Sequence, residues 1–175
     1  MKYAVLGDPH IPERAEKLPQ RFIEMIKERA PDKIIATGDY TEQRVLEEIE
    51  QLGETIAVRG NMDTFDVPPY KILTDGVAVI LVTHGTGIVP RGDTDTLVKI
   101  AKDAGANVIV TGHTHVLEVK FVDGVLIVNP GSITGAWGGG GSSDLESMIF
   151  MHIEKNKVSL FMFEGEKSSK AVYKL

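Results

Sequence analysis

The chain has 175 residues, of which 42% are hydrophobic and 25% charged, and its formal net charge is −6. This length suits one compact domain, expected to span residues 1–175, with the composition of an ordinary globular protein. The absence of cysteine excludes disulfides and thiolate metal ligands, and the negative charge argues against a broad nucleic-acid-binding surface.

The first part of the chain alternates short apolar runs with amphipathic helical patterns. Three of these runs predict buried strands, at residues 3–6, 34–36 and 55–58. Between them, helical spacing relates Phe22 to Ile26 and Val45 to Ile49, which predicts two helices. Continuous apolar strands separated by helices favour a parallel sheet that is covered on both faces. Because a strand begins almost at Met1 and no long apolar segment follows, we expect a cytoplasmic protein with no signal peptide and no membrane span.

Hairpin signals dominate the second part. Asp-Gly pairs separate two pairs of strand-like runs, 71–74 from 77–82 and 116–122 from 125–128. A third pair is 147–153 and 158–163, and a last strand is predicted at 171–173. The spacing of Leu97 and Ala101 predicts a helix before the apolar run 108–110. We therefore predict an α/β fold in which two sheets pack face to face with helices outside.

A low-complexity segment, Gly138 to Ser143, interrupts the second part. Its composition favours a flexible linker. The alternative is a flap over a functional site.

Polar side chains that can bind metal follow five of the predicted strands, each beside a glycine. They are Asp8 and His10, Asp39, Asn61, His84, and His113 and His115. Taken singly, most of these positions suit turns or helix caps. In open α/β sheets, however, ligands gather outside the carboxyl ends of the strands. Four of the five histidines belong to this set, which favours a metal site; we expect the fifth, His152, to be a structural or surface residue.

The donor types indicate the metal. Seven nitrogen and oxygen ligands rich in histidine do not suit Mg²⁺ or Ca²⁺ alone. They suit Mn²⁺, which we expect first, or Ni²⁺, Zn²⁺, Fe or Co²⁺. Seven ligands exceed one tetrahedral site and match two divalent cations that share a carboxylate. Such pairs, about 3.5–4 Å apart, stabilise the attacking and leaving oxygens of a displacement at phosphorus. We expect a small phosphate ester as substrate.

These motifs resemble those of the calcineurin-like metallophosphoesterase superfamily, specifically its small bacterial and archaeal phosphodiesterases. The pattern D-x-H, G-D, G-N, H-G and G-H-x-H is present in that order, at residues 8–10, 38–39, 60–61, 84–85 and 112–115. The resemblance implies a four-layer α-β-β-α sandwich with two mixed sheets flanked by helices. It also implies hydrolysis by a hydroxide that bridges two metal ions.

The same resemblance assigns the ligands. Asp8, His10 and His115 would hold the first metal, and Asn61, His84 and His113 the second, with Asp39 shared. Asp39, Asn61 and His113 would be the residues that act in hydrolysis. Many relatives have a histidine after the asparagine that helps to protonate the leaving group. Met62 occupies that position here and cannot donate a proton, so we expect a preference for good leaving groups.

A second resemblance leads to a different function. Segments 7–12, 89–93 and 129–136 are similar to the metallophosphoesterase-fold subunit of retromer, which implies a non-catalytic interaction scaffold with a residual metal site. That subunit has an altered metal pattern at the positions that match Asp39 and Asn61, and this chain keeps both. We therefore favour the enzyme and leave homo-oligomerisation open. Tyr40 and Met62 are expected to border the site. Arg91 is expected to be solvated, with phosphate binding as the alternative.

Overall fold

A computed structural model describes residues 1–175, with eleven strands and three helices. The strands are β1 (Lys2–Leu6), β2 (Lys33–Ala36), β3 (Thr55–Ala57), β4 (Tyr70–Asp75), β5 (Ala78–Thr83), β6 (Val108–Val110), β7 (Leu117–Val122), β8 (Val125–Pro130), β9 (Ser147–Glu154), β10 (Lys157–Glu164) and β11 (Lys167–Lys174). The helices are α1 (Gln20–Arg29), α2 (Gln43–Glu50) and α3 (Thr94–Asp103). No helix of the chain combines the length and the apolarity that crossing a bilayer requires.

The first sheet has six strands in the order β11-β10-β9-β1-β2-β3. β1, β2 and β3 run parallel, whereas β9, β10 and β11 are antiparallel neighbours. Helices α1 and α2 cover its outer face, because Phe22 and Ile49 share one buried apolar cluster with Leu6 and Ile34. The predicted parallel unit is confirmed.

The second sheet has five strands in the order β4-β5-β6-β8-β7. Leu97 and Ala101 of α3 pack on its outer face against Ile109. Between the sheets lies a separate core, in which Val5 of the first sheet is clustered with Val110 of the second. The layers are therefore helices, sheet, sheet and helix, as the four-layer prediction requires.

Strand β11 is the main departure from the sequence-based elements. We expected a strand at 171–173, but it covers Lys167–Lys174 and pairs along its whole length with β10. It is an edge strand whose residues are mostly exposed, so its first half lacks the apolar alternation that identifies a strand.

Candidate metal centre

The candidate site lies where the parallel strands of both sheets end. The first sheet provides Asp8 and His10 after β1, Asp39 after β2 and Asn61 after β3, and the second provides His84 after β5, and His113 and His115 after β6. The structure thus brings all seven predicted residues to one edge of the sandwich. Five of the side chains are buried, Asn61 is exposed and His113 is half-buried.

The backbone of these loops is unusual. Five of the seven residues have a positive φ: Asp8 (50°), His10 (46°), Asp39 (58°), His113 (71°) and His115 (59°). Residues other than glycine seldom adopt this left-handed conformation, and clusters of such residues occur at functional sites. The chain turns sharply after each strand, which directs these side chains towards one point.

Asp39 lies at the junction of two donor groups. Its Oδ2 atom is 3.3 Å from Nε2 of His10 and also 3.3 Å from Nε2 of His84. The first group consists of Asp8, His10, Asp39 and His115, and the second of Asp39, His84 and His113, with donor atoms within 4.8 Å of one another in each. These two groups share one carboxylate, as the expected ligand assignment does.

The remaining contacts complete the two groups. In the first, Nε2 of His115 is 3.2 Å from Nε2 of His10 and 3.4 Å from Oδ1 of Asp8. In the second, Oδ1 of Asn61 is 3.2 Å from Nε2 of His84. Several nitrogen and oxygen atoms that can bind a metal therefore lie close together, which is the environment of a cation.

Two of the histidine rings are held by backbone carbonyls. Nδ1 of His84 is 2.7 Å from the Thr37 oxygen, and Nδ1 of His115 is 2.6 Å from the Ala136 oxygen. In the neutral ring, a proton on Nδ1 leaves the lone pair of Nε2 free to bind a metal. Nε2 is the atom that faces the carboxylates. Such hydrogen bonds fix the tautomer and orientation of histidine ligands in metal sites. The donor set therefore fits a divalent metal.

Glycine is required where the second and third strands approach each other. A Cβ atom on Gly60 would lie 2.1 Å from Oδ1 of Asp39 and 2.3 Å from its backbone nitrogen. Any side chain at this position would displace Asp39. The glycine next to Asn61 is thus a condition for the shared carboxylate to reach its place.

Asp63 supports the site in a way that was not anticipated from the sequence. Its Oδ2 accepts hydrogen bonds from the backbone N–H groups of Asp39 (2.9 Å) and Gly60 (2.7 Å), and its Oδ1 from that of Thr41 (2.9 Å). One buried carboxylate therefore joins the loops after β2 and β3. Its place two residues after Asn61 was visible in the sequence, but nothing there indicated these partners.

The surroundings of the site differ from expectation at two positions. Tyr40 does not border the centre: it is buried in the first sheet's core, and its hydroxyl shares one hydrogen between the Ala36 and Val58 oxygens. Its ring belongs to the buried apolar cluster under helices α1 and α2, where removal of its apolar surface from water is favourable. Met62 does line the cleft above the donor groups, as expected.

The glycine-rich segment begins as part of the site. A Cβ atom on Gly138 would lie 2.4 Å from Cγ of His115, and both Gly138 and Gly139 line the cleft. This end of the segment is therefore packed against the site and is not a free linker. Arg91 also lines the cleft, where it donates hydrogen bonds to the Gly138 and His113 oxygens. Arg91 is thus exposed, as expected, but fixed in position.

Charge interactions shift the pKa values of the second group. Burial disfavours the charged form of Asp39, but hydrogen bonds from His10 and His84 hold its pKa well below the usual range. Burial likewise lowers the pKa of His84, but the hydrogen bond to Asp39 and the charges of Asp8 and Asp39 outweigh it and raise the pKa to about 9. Burial, with the charges of His84 and Arg91, lowers the pKa of His113.

These shifts predict that metal binding depends on pH. At pH 7 the metal-free protein carries a proton on His84, which a cation has to displace, whereas His113 is already neutral. We expect the affinity for Mn²⁺ to rise about tenfold per pH unit between about pH 7 and pH 8.5, because one proton is displaced. Calorimetric titrations in buffers of different ionisation enthalpy would measure this proton. An affinity that is constant over the range would contradict the prediction.

Comparisons with known proteins identify the family. The sequence profile of the calcineurin-like phosphoesterase superfamily domain matches residues 1–156. A probable metallophosphoesterase of Methanocaldococcus jannaschii is 35% identical over 134 residues, which are 77% of this chain and 69% of the relative.

Solved structures agree in fold. A single mutant of Vps29 from Entamoeba histolytica has a TM-score of 0.92 and 25% identity, with 99% of each chain covered. A structure described as a novel archaeal phosphodiesterase has a TM-score of 0.67 and 21% identity, and the match covers 99% of this chain and 100% of the other. At this identity the likeness shows the fold alone. Together with the strand-end motifs and the four layers, these matches show that the chain belongs to the calcineurin-like phosphoesterase superfamily.

Proposed function

We propose that this protein is a metal-dependent phosphodiesterase that uses two divalent cations. The observation that carries the proposal is the sharing of Asp39 between two groups of donor atoms. A single-cation site has no need of a second group of histidines on the far side of its carboxylate. The family supports hydrolysis of phosphate esters, and the phosphodiester class and the number of cations are our inference.

In this proposal each cation has ligands from both sheets. Asp8, His10 and His115 would hold one cation, Asn61, His84 and His113 would hold the other, and Asp39 would contact both. When bound, the pair supplies Lewis-acid activation of water and stabilises the negative charge on the phosphoryl oxygens. Mn²⁺ is the first expectation because the donors are rich in imidazole, and Ni²⁺, Zn²⁺, Fe or Co²⁺ are alternatives.

The exposed members of the centre are suited to contact the ester. Asn61 can hold a cation through Oδ1 and donate a hydrogen bond to a phosphoryl oxygen through Nδ2. His113 is half-buried, and its lowered pKa keeps the ring neutral at pH 7. Its lone pair is therefore available to bind the second cation next to the ester. Met62 lines the cleft without a proton to give. The leaving group therefore has to depart largely unprotonated, which favours esters of acidic alcohols.

A non-catalytic scaffold is the second candidate. It is favoured by the likeness to Vps29 over 99% of each chain. Tyr70 and Ile72 also lie on one face of the edge strand β4, exposed by 58% and 49%. Exposed apolar groups on an edge strand are typical of interaction surfaces. We rank the enzyme first because all seven metal-binding side chains are present at the strand ends.

Hydrolysis assays with defined metals test the proposal. The protein would be stripped of metal and reloaded with Mn²⁺, Ni²⁺, Zn²⁺ or Mg²⁺ separately. Its turnover of bis-p-nitrophenyl phosphate and p-nitrophenyl phosphate would then be measured. We expect turnover of the diester with Mn²⁺ and little with Mg²⁺. Protein that is shown to bind two ions and hydrolyses neither ester with any metal would favour the scaffold.

A further inference from the structure

One wall of the cleft has no part in the hydrolysis described above. Trp137, Arg14 and Arg91 line it, in the same cleft as His10, Asp39 and His113. The indole of Trp137 is 66% exposed although it is large and apolar. The cleft beside it has a volume of about 320 Å³, which is within the range of small-molecule sites.

The backbone that carries Trp137 is firmly held. Three successive carbonyl oxygens accept hydrogen bonds from side chains of the cleft. The Ala136 oxygen is bonded to His115 (2.6 Å), the Trp137 oxygen to Nη1 of Arg14 (2.7 Å) and the Gly138 oxygen to Nη1 of Arg91 (2.8 Å). An exposed aromatic ring on an anchored backbone is suited to binding, since little freedom is lost when a ligand packs on it.

The two arginines have further hydrogen-bonding capacity. A guanidinium group has five N–H donors. Arg14 uses one of its nitrogens and Arg91 uses two, in bonds to backbone oxygens. The arginines that form ion pairs with carboxylates are others, Arg21 and Arg44. The charges of Arg14 and Arg91 are therefore not neutralised by a carboxylate, and such groups bind phosphate oxygens.

The cleft that adjoins the centre at Asn61 and His84 differs in character. It is lined by Arg59, Thr83 and Thr86, among others, and contains no tryptophan, tyrosine or phenylalanine. Of these two clefts, only the one that contains Trp137 offers a large aromatic side chain to a planar group of a substrate.

We propose that Trp137, with Arg14 and Arg91, forms the recognition site for a phosphate ester that carries a planar aromatic group. This inference rests on the proposed hydrolysis for its biological role and names the substrate class. The ring of the substrate stacks on the indole, and the arginines bind oxygens of the phosphate. A nucleobase and an aryl alcohol share this chemistry, and the test separates them.

The protein contains one tryptophan, so its intrinsic fluorescence reports on Trp137 directly. Mn²⁺-loaded protein would be titrated with adenosine monophosphate, phenyl phosphate and glycerol phosphate. Accessibility of the indole to acrylamide would be measured with each ligand. We expect adenosine monophosphate or phenyl phosphate to change the emission and shield the indole, and glycerol phosphate to do neither. Shielding by the nucleotide alone indicates a nucleobase, and shielding by both indicates any planar group. If no ligand shields the indole, or if glycerol phosphate shields it equally, the proposal is wrong.

Substitutions distinguish the contribution of the Trp137 indole to binding from that of the arginine charges. Because Arg14 bonds to the backbone oxygen of Trp137, Trp137→Ala leaves that anchor intact. We expect Trp137→Ala to weaken the aromatic ligands about tenfold, judging from base–aromatic stacking, with glycerol phosphate unchanged and Trp137→Phe near wild type. Arg91→Gln should weaken binding of all three phosphates about tenfold. Arg44→Gln, at an exposed position of α2 that does not line the cleft, should weaken none. Calorimetry would supply these affinities, and equal binding of all ligands by Trp137→Ala and wild type would overturn the assignment.

This design distinguishes the two proposals. If ligands shield the indole but no ester is hydrolysed, the proposed hydrolysis fails and the recognition site stands. If esters are hydrolysed and Trp137→Ala treats aromatic and aliphatic esters as wild type does, the hydrolysis stands and the recognition site fails.

Discussion

Asp39→Asn is expected to abolish metal-dependent hydrolysis, with turnover reduced on the order of 10³-fold or more. A carboxylate shared by two metals contributes more to the rate than a single hydrogen-bond donor or a residue that orients a ligand. Oδ2 of Asp39 lies 3.3 Å from Nε2 of both His10 and His84. A neutral amide removes the negative charge from both donor groups at once and cannot bridge two cations. Turnover of bis-p-nitrophenyl phosphate by Mn²⁺-loaded protein is the measurement.

The substitution should leave the fold intact. Asp39 has φ of 58°, and asparagine adopts this left-handed conformation readily. The retained Oδ1 can still accept the hydrogen bond from the Met62 backbone. Without the negative charge of Asp39 the neutral form of His84 is favoured, and the new N–H₂ group can donate to its unprotonated Nε2. Asp66→Asn makes the same chemical change at an exposed position outside the centre and should keep full activity. If Asp39→Asn turns over at the wild-type rate, the shared carboxylate is not part of the mechanism.

The location of the site was predictable because strand ends follow a physical rule. Buried parallel strands produce apolar runs, and the residues that follow such runs meet at one edge of a sheet. Asp8 and Asp39 follow two such runs, and His84 and His113 follow runs of the second sheet. Their convergence across both sheets required the two sheets to pack face to face, which the strand pattern predicted, the resemblance implied and the structure contains. The roles of the seven residues as ligands remain predictions.

The supporting contacts could not be predicted in the same way. Asp63 and the Ala136 carbonyl act on Asp39 and His115 through hydrogen bonds between segments distant in sequence. No periodicity or composition reports such pairs. The first glycines of the run at 138–143 depart from the expected linker for a related reason. Low complexity describes an absence of side chains, and here that absence lets the backbone of Gly138 pack against a ring.

Asp63→Ala is expected to destabilise the metal-free protein by about 3 kcal/mol, since backbone N–H groups left unpaired on burial cost about 1–3 kcal/mol each and relaxation recovers part of the sum. The three donors are those of Asp39, Gly60 and Thr41. Urea denaturation of stripped protein would measure the change. Asp63→Asn keeps one acceptor oxygen and should cost less, and Asp66→Ala on the exposed surface should leave the urea midpoint within error of wild type.

The same variant should also bind metal less tightly. Asp39 and Thr41 both have a positive φ, 58° and 70°, and for a β-branched threonine this conformation is strained. The Asp63 carboxylate holds both residues through their backbone N–H groups, so its removal lets this turn relax and moves the shared carboxylate away from the histidines. We expect Mn²⁺ affinity to fall about 10–100-fold, as for other residues that orient metal ligands. A variant that loses stability but keeps wild-type affinity would show that Asp63 joins the two loops without positioning Asp39. A variant that loses both would show that the strained turn is held in place for the metal.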